Sequence, residues 1–224
     1  MDTSEKPFLP RDKIAEKYVA LVDILGFSSG VLGDFNKSIE TFERVLRSTG
    51  AVDKMSPDVE FRIYSDSYLL ISDSLVRLVA VTQGILMQTL FRDYLVRGGI
   101  AHGKHIDVAE PPHLFMVSEA VVRAAMIEKT VKYPCVAVHP DIKIEDTWWA
   151  PAPRNLDRGL LYFGGLVIVN PCNMMWGASA ATRVLQMLET HPQHREKYEW
   201  FLELHQAIFS PVPMIPPRYF AHAT

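Results

Sequence analysis

One stretch of the chain reads Tyr18-Val19-Ala20-Leu21-Val22-Asp23-Ile24-Leu25-Gly26-Phe27, a run of strand-forming residues that ends in an aspartate and a glycine turn. A second stretch reads Phe61-Arg62-Ile63-Tyr64-Ser65-Asp66-Ser67 and carries its aspartate in the same place. A carboxylate at the end of a buried strand is costly unless a cation or hydrogen-bond donors compensate it. We therefore predict that Asp23 and Asp66 share a divalent metal ion, although either residue taken alone could simply cap a turn.

The turn that follows Asp23 adds a place for phosphate. Gly26 permits a tight turn whose backbone N–H groups can bind phosphate oxygens while the carboxylates hold a metal. This combination suits a nucleoside triphosphate. A third segment, Val96-Arg97-Gly98-Gly99-Ile100-Ala101-His102-Gly103, is predicted to be a strand whose glycines allow another chain segment to approach closely.

Hydrophobic spacing predicts the remaining elements. We expect an amphipathic helix over 36–49 that stops at Gly50, a hairpin over 59–72 and an apolar helix over 75–95. Beyond these we expect, in order, a loop over 104–114, a helix over 118–131, a strand over 133–138, a strand or hairpin over 160–169, and a helix over 178–209 broken near His191-Pro192. The order strand, helix, hairpin, helix, strand is ferredoxin-like, which makes the predicted fold class α+β.

The three segments together resemble the class III nucleotidyl cyclases over roughly residues 18 to 138. The family's first-strand pattern is matched by Leu21-Val22-Asp23-Ile24-Leu25-Gly26-Phe27, its later Arg-x-Gly-Ile strand by Arg97-Gly98-Gly99-Ile100, and its last core helix by Ser118 to Glu128. Within this family the chain is most similar to the bacterial pyrimidine cyclases of Pycsar antiphage defence. The similarity lies in the sequences Ser65-Asp66-Ser67, Arg97-Gly98-Gly99-Ile100 and Glu128 followed by Tyr133-Pro134.

The resemblance implies an antiparallel-rich sheet with helices on one face, a C-terminal strand and helix extension, and a homodimer with active sites at the subunit interface. It implies an enzyme that converts UTP to 3′,5′-cyclic UMP and pyrophosphate, a second messenger for a separate effector protein. Two Mn²⁺ or Mg²⁺ ions would be held by Asp23, Ile24 and Asp66, and the triphosphate by Ile24, Leu25, Gly26, Phe27 and Ser28. A cyclic CMP synthase and a degenerate nucleotide-binding domain without catalysis remain as alternatives.

The sequence departs from the familiar enzymes at the transition-state and base positions. Val122 and Met126 replace the usual Asn and Arg, and neither can donate a hydrogen bond, so Arg123 and Arg97 become the catalytic candidates. Arg62 and Phe115 occupy the positions that read the base, where an arginine can donate to a pyrimidine carbonyl and a ring can stack. Phe61 and Tyr64 are alternative stacking rings.

Composition limits the remaining possibilities. A chain of 224 residues with net charge −3 favours one main domain and argues against a nucleic-acid partner. We divide it into a polar N-terminal segment (1–17), a catalytic core (18–140), an extension packed on the core (141–210) and a proline-rich tail (211–224) that is extended and lies against another subunit. Two distant cysteines, the absence of an apolar leader and the short apolar runs predict a cytoplasmic protein without membrane contact.

Overall fold

The computed structural model describes residues 11–54, 56–110 and 113–222. Within these ranges the strands are β1 (Ala15–Ile24), β2 (Val59–Tyr64), β3 (Ser67–Ser72), β4 (Val96–Glu110), β5 (His113–Ser118), β6 (Val136–Val138), β7 (Leu160–Phe163) and β8 (Leu166–Val169). All eight form one sheet in the order β2-β3-β1-β4-β6-β8-β7, and β5 pairs with the part of β4 that extends beyond the N-terminal end of β1.

Strand β1 lies in the interior of this sheet, between β3 and β4. It runs antiparallel to both β3 and β4, so that Asp23 stands opposite Ser67 on one side and Arg97 on the other. Strand β6 is parallel to β4 and continues the sheet toward the β7–β8 hairpin. The end of β1 therefore lies between two strands that present polar side chains.

Helices cover parts of both faces of the sheet. The described residues contain α1 (Phe27–Gly33), α2 (Phe35–Lys54), α3 (Leu75–Leu90), α4 (Glu119–Thr130), α5 (Gly177–Thr190) and α6 (Arg195–Ile208). Helices α2 and α3 bury the Ala20 and Val22 side of β1, whereas α4 buries the Val19 side. The α+β class is as predicted, but the expectation that helices lie on one face only is wrong, because α4 packs on the other.

Close packing of α4 on the sheet depends on Gly99. A β-carbon at this position would lie 2.5 Å from the carbonyl oxygen of Ala124 and 2.7 Å from the β-carbon of Ile127. The strand can therefore approach the helix only because glycine has no side chain. This is the close approach that the glycines of the third segment predict.

Several element boundaries differ from the sequence prediction. Helix α2 runs through Gly50 to Lys54, because an interior glycine weakens a helix but does not end one whose apolar face is packed. The expected loop over 104–114 is instead the β4–β5 hairpin, although Pro111 and Pro112 lie outside the described residues. The hairpin over 59–72, the helix ending near residue 130 and the break near His191 are confirmed.

The division placed after residue 140 does not correspond to a boundary in the fold. Strand β8 pairs with β6 at Ala137 and Ile168, so the later hairpin extends the same sheet. Leu160, Val169 and Ile215 belong to the same buried cluster as Val22. Residues after 140 complete the core of the protein, while α5 and α6 form a second cluster around Val184 and Phe201.

The proline-rich tail packs on its own chain over the part that is described. Met214 and Ile215 are buried, and the carbonyl oxygen of Met214 accepts a hydrogen bond of 2.9 Å from the backbone N–H of Tyr162. These residues dock on their own chain, and the contact of this segment with another subunit stays a prediction. Apolar side chains at 214 and 215 between the prolines explain why it docks on the core.

Among the described residues, no helix combines the length and apolar character that crossing a membrane requires.

Candidate active site

The two aspartates that the strand pattern singles out are brought together at one end of the sheet. Asp23 is next to the last residue of β1, and Asp66 lies in the two-residue turn between β2 and β3. The turn requires a positive φ of 55° at Ser65, as tight hairpins do. The backbone N–H of Ile24 donates to the carbonyl oxygen of Asp66 over 3.1 Å, which fixes the turn beside the end of β1.

Asp23 occupies an environment that resists ionisation. Burial, followed by the negative charges of Asp66 and Glu128, raises the pKa of Asp23 from 3.8 to about 6, although Arg97 acts in the opposite direction. Burial removes water that would solvate the carboxylate, and the neighbouring carboxylates repel it. The end of β1 therefore concentrates negative charge, and a bound cation would relieve this repulsion.

Arg97 is the cation that the fold supplies to this cluster. Its Nε lies 3.6 Å from Oδ2 of Asp23, and its Nη2 lies 2.7 Å from Oε1 of Glu128 on α4. The sequence prediction placed Arg97 among the catalytic candidates, and the structure brings it to the aspartates. Glu128 was not predicted as a site residue. The sequence offered one signal for Glu128, its position at the end of the helix that resembles the family's last core helix. In the structure, α4 places Glu128 directly over Arg97.

The donor set suits a hard divalent cation. Asp23 and Asp66 offer carboxylate oxygens, the ligands that Mg²⁺ and Mn²⁺ prefer, and Ile24 can contribute only its main-chain carbonyl. Within residues 11–54, 56–110 and 113–222, no group of three or more His, Cys, Asp or Glu side chains is placed to hold a metal. A metal at this site would therefore need ligands from its substrate as well as from the protein.

The turn after Asp23 offers fewer backbone donors than the sequence suggests. Gly26 adopts a left-handed φ of 83° and precedes α1. The N–H groups of Ile24 and Leu25 already donate to Asp66 and Leu95, so the prediction that these two bind phosphate through N–H is wrong. Phe27 and Ser28 begin a helix, where N–H groups have no intrahelical acceptor, and they remain candidates with Gly26.

Arg62 has an acidic partner that the sequence analysis missed. Its guanidinium forms ion pairs with Asp107 of β4 and Glu60, and its side chain is 14% exposed. Directly opposite residues share a face of a sheet, so the pairing of Arg62 with Leu69, and of Leu69 with Leu21, places Arg62 on the face of Asp23. Asp107 could have been noticed as a charged residue inside a strand of alternating pattern.

The structure separates the predicted stacking rings. Asp107 stands opposite Met116, so the neighbouring Phe115 points to the other face of the sheet from Arg62. Phe61 packs edge-on against Tyr68 in the core, with ring centroids 5.7 Å apart, and is not available as a stacking ring. Tyr64 is 47% exposed and stands opposite Ser67, the partner of Asp23. Tyr64 is the ring that remains near the site.

The second catalytic candidate, Arg123, lies away from the aspartates of its own chain. It donates to the carbonyl oxygen of His102 over 3.2 Å. His102 is five residues along β4 from Arg97, which corresponds to roughly 17 Å. Val122 and Met126, which hold the family's transition-state positions, are 60% and 62% exposed on the outer side of α4.

His102 and His105 lie on opposite faces of β4. His102 packs on Tyr18 with ring centroids 4.4 Å apart, while His105 is buried on the opposite face at 4% exposure. Residues three apart on a strand point in opposite directions, so the two rings cannot hold one metal ion.

Comparison with known proteins supports the fold. No family model and no curated protein matches the chain. Among solved structures, a bacterial light-regulated adenylyl cyclase is similar with a TM-score of 0.50 and 16% identity, over 79% of this chain and 100% of that chain. The adenylyl cyclase CyaB from P. aeruginosa gives a TM-score of 0.48 and 10% identity, over 70% of this chain and 92% of that chain.

A fungal structure belongs to the same group. The dimeric guanylyl cyclase domain of the RhoGC fusion protein from Blastocladiella emersonii gives a TM-score of 0.49 and 16% identity, over 56% of this chain and 80% of that chain. The chain has the class III nucleotidyl cyclase fold, as the similarity to the light-regulated enzyme indicates.

Proposed function

We propose that this protein is a uridylate cyclase that converts UTP to 3′,5′-cyclic UMP and pyrophosphate. The observation that carries the proposal is the convergence of Asp23 and Asp66 at the end of β1, fixed by the 3.1 Å hydrogen bond between Ile24 and Asp66. The cyclase-like fold places this pair beside a glycine turn and an arginine-containing strand. Pyrimidine selectivity follows from the sequence resemblance.

Asp23, Asp66 and the main-chain carbonyl of Ile24 would hold two Mn²⁺ or Mg²⁺ ions. The fit rests on the crowding of negative charge that raises the pKa of Asp23 to about 6. When bound, such ions lower the pKa of a hydroxyl nucleophile and neutralise phosphate charge. The protein's own contribution is to hold both carboxylates on hydrogen-bonded backbone, so that metal binding requires little further ordering of the chain.

Backbone N–H groups of Gly26, Phe27 and Ser28 would bind the triphosphate. They lie immediately after Asp23, so phosphate oxygens and carboxylates would meet over a few residues. Arg97, which already pairs with Glu128, is the side chain placed to stabilise negative charge on the reacting phosphate. Glu128 would then position Arg97, since an ion pair of 2.7 Å restrains the guanidinium.

Arg62 is the residue that the family resemblance assigns to reading the base. Its backbone lies two strands and two residues from Asp23, about 12 Å by strand geometry. Its guanidinium pairs with Asp107, which is ten residues along β4 from Arg97, so a nucleotide at the aspartates would have to draw Arg62 out of this ion pair. Once released, the guanidinium can donate to the carbonyl oxygen that uracil and cytosine share, so cyclic CMP remains the runner-up product.

A second copy of the chain would complete the site. The outer side of α4 exposes Val122 and Met126, which are one helical turn apart. Exposed apolar groups of this kind mark association surfaces. Arg123 lies on this helix, and in a homodimer it would approach the aspartates of the partner and not those of its own chain.

The biological proposal follows from the resemblance to Pycsar cyclases. Cyclic UMP would act as a second messenger in bacterial antiphage defence and activate a separate effector that the cyclase does not contact. In this role the cyclase works in the cytoplasm.

The second candidate function is nucleotide binding without catalysis. Val122 and Met126 favour it, because apolar side chains at these positions cannot stabilise a pentavalent phosphate. The retained aspartates favour the enzyme. Turnover therefore separates the two candidates, since both predict that nucleotide binds.

The site assignment is tested by Asp23→Asn and Asp66→Asn, assayed for cyclic nucleotide formation with Mn²⁺. We expect each to lose at least a hundredfold in turnover, because one carboxylate contributes several kcal/mol to charge stabilisation. Asp34→Asn is the matched control. Asp34 is exposed and accepts from the N–H of Lys37, and asparagine caps a helix as well as aspartate does. Full activity in either site variant would overturn the assignment.

A further inference from the structure

A cavity of about 870 Å³ opens on the side of the sheet away from the candidate active site. Val138 at the end of β6 lines it and belongs to the core on the α2 and α3 face, whereas Asp23 interacts with Glu128 of α4 on the other face. Trp149, Arg158, Tyr162 and Tyr219 also line the cavity. The sheet therefore separates this cavity from the aspartates.

Arg158 is an unusual wall residue because it is a buried cation without an acidic partner. It is 7% exposed, its Nη1 donates to the carbonyl oxygen of Trp148 over 3.3 Å, and its Nε has no acceptor among the described residues. No ion pair joins it to a carboxylate in the described part of the chain. A buried charge of this kind is costly unless something compensates it.

Trp149, which also lines the cavity, is a second buried residue with a hydrogen-bond donor that has no acceptor among the described residues. It is 4% exposed, and its Nε1 also lacks an acceptor among the residues that the structure describes. The indole stacks on Tyr219 with ring centroids 6.0 Å apart, which holds it in place. The Nε of Arg158 and the Nε1 of Trp149 are covered by protein atoms, so a ligand in the cavity would meet the other N–H groups of the Arg158 guanidinium. A guanidinium can only donate hydrogen bonds, so such a ligand must offer acceptors.

The charge around the cavity favours an anion. Lys143, Arg158 and Arg218 line it, against one carboxylate, Asp146, which accepts from the hydroxyl of Tyr219 over 2.6 Å. A neighbouring cavity of about 630 Å³ shares Arg158 and Lys143 but carries Asp73, Glu145 and Asp157. An anionic ligand would therefore select the larger cavity.

The size and the lining of the cavity indicate a ligand larger than an inorganic anion. Its volume lies in the range of pockets that hold small organic ligands. Aromatic and apolar side chains alternate with the cations, a composition that suits a planar ring joined to a phosphate. We propose that this cavity binds a nucleoside monophosphate, with the phosphate among the cations Arg158, Arg218 and Lys143 and the base among the aromatic rings.

This proposal does not rest on the catalytic assignment. A nucleotide bound here would influence the active site only through the strands of the sheet. The two sites are separated by few residues, since Val138 pairs with Ile100, three residues from Arg97 on β4. The cavity is thus placed to act as an effector site of the enzyme or of a binding domain alike.

The test is isothermal titration of the full chain with UMP, AMP, cyclic UMP and inorganic phosphate, in EDTA to keep metal from the aspartates. We expect saturable binding of at least one of these nucleotides, with inorganic phosphate about tenfold weaker or more. Arg158→Met should weaken nucleotide binding by about tenfold to a hundredfold, because a charged hydrogen bond is lost. Methionine keeps an apolar stem at this position and removes a buried charge whose desolvation opposes folding.

Two further variants keep the test decisive. Arg218→Met removes an exposed cation of the cavity wall and should also weaken binding, which covers the case in which Arg158→Met does not fold. Arg154→Met is the matched control, because Arg154 pairs with Asp157 at the surface and does not line the cavity. Absence of saturable nucleotide binding, or unchanged affinity in both cavity variants, would overturn the proposal. Equal affinity for inorganic phosphate would overturn the assignment of an aromatic ligand.

Discussion

At the scale of single residues, the site is defined by charge that the fold concentrates and only partly neutralises. Asp23 is partly buried near two other carboxylates, and Arg97 is shared between Asp23 and Glu128. A protein that only needed a stable sheet end would gain from an uncharged residue at position 23. The retained repulsion is the expected condition of a cation-binding site that is selected for function rather than for stability.

This repulsion predicts a pH dependence. The pKa of Asp23 is 3.8 in the unfolded chain and about 6 in the folded protein, so the folded state binds the proton more tightly. The stability that Asp23 contributes is therefore present below pH about 4 and lost as the pH rises through 6. We expect metal-free Asp23→Asn to melt about 2 to 4 °C above the wild type at pH 7.5, after allowance for partial exposure.

Thermal unfolding followed by circular dichroism in EDTA at pH 4 and pH 7.5 measures this difference. The two proteins should melt at closer temperatures at pH 4, where Asp23 of the wild type is protonated. Added Mn²⁺ should raise the melting temperature of the wild type and not that of Asp23→Asn. A variant that is less stable than the wild type at pH 7.5 would contradict this account of the carboxylate cluster.

At the scale of elements, the packing of α4 on β4 decides where the side chains of the candidate site lie. Gly99 lets the helix sit close to the strand, and this places Glu128 over Arg97. The sequence predicted Asp23, Asp66 and the turn at Gly26, because their signals are local. It could not predict the roles of Glu128 and Asp107, because their partners lie on other strands, 31 and 45 residues away.

Gly99→Ala tests this packing. The added β-carbon would meet main-chain and side-chain atoms of α4 at 2.5 and 2.7 Å, and overpacking of this kind costs about 1 to 3 kcal/mol of unfolding free energy. Gly33→Ala is the control, since a β-carbon there meets nothing within 4 Å. Urea denaturation should show a loss for Gly99→Ala and a neutral or slightly stabilising effect for Gly33→Ala. Equal stability of the two variants would refute the close-packing argument.

At the scale of the whole molecule, the residues after 140 belong to the core. The β7–β8 hairpin extends the sheet, and Leu160, Val169 and Ile215 share the buried cluster of β1. The sequence division at 140 failed because the family-like motifs end there. The later strands carry only an apolar pattern, which reveals burial but not the strand with which they pair.

Truncation after residue 140 therefore gives a definite expectation. Removing β7 and β8 would expose the edge of β6 and uncover apolar side chains of the main cluster. We expect residues 1–140 to show no cooperative thermal transition, whereas the full chain should unfold cooperatively. Circular dichroism melting curves of both proteins make the comparison, and a cooperative transition in the truncated chain would restore the boundary at 140.

The central claim is that Asp23 and Asp66 form the metal site of a cyclase that acts on UTP. The most direct test incubates the purified protein separately with UTP, CTP, ATP and GTP in Mn²⁺ and identifies the products by mass spectrometry. We predict cyclic UMP and pyrophosphate from UTP, in amounts that exceed every other cyclic nucleotide. Predominant cyclic CMP would move the assignment to the runner-up, and no cyclic product from any of the four nucleotides would contradict the claim.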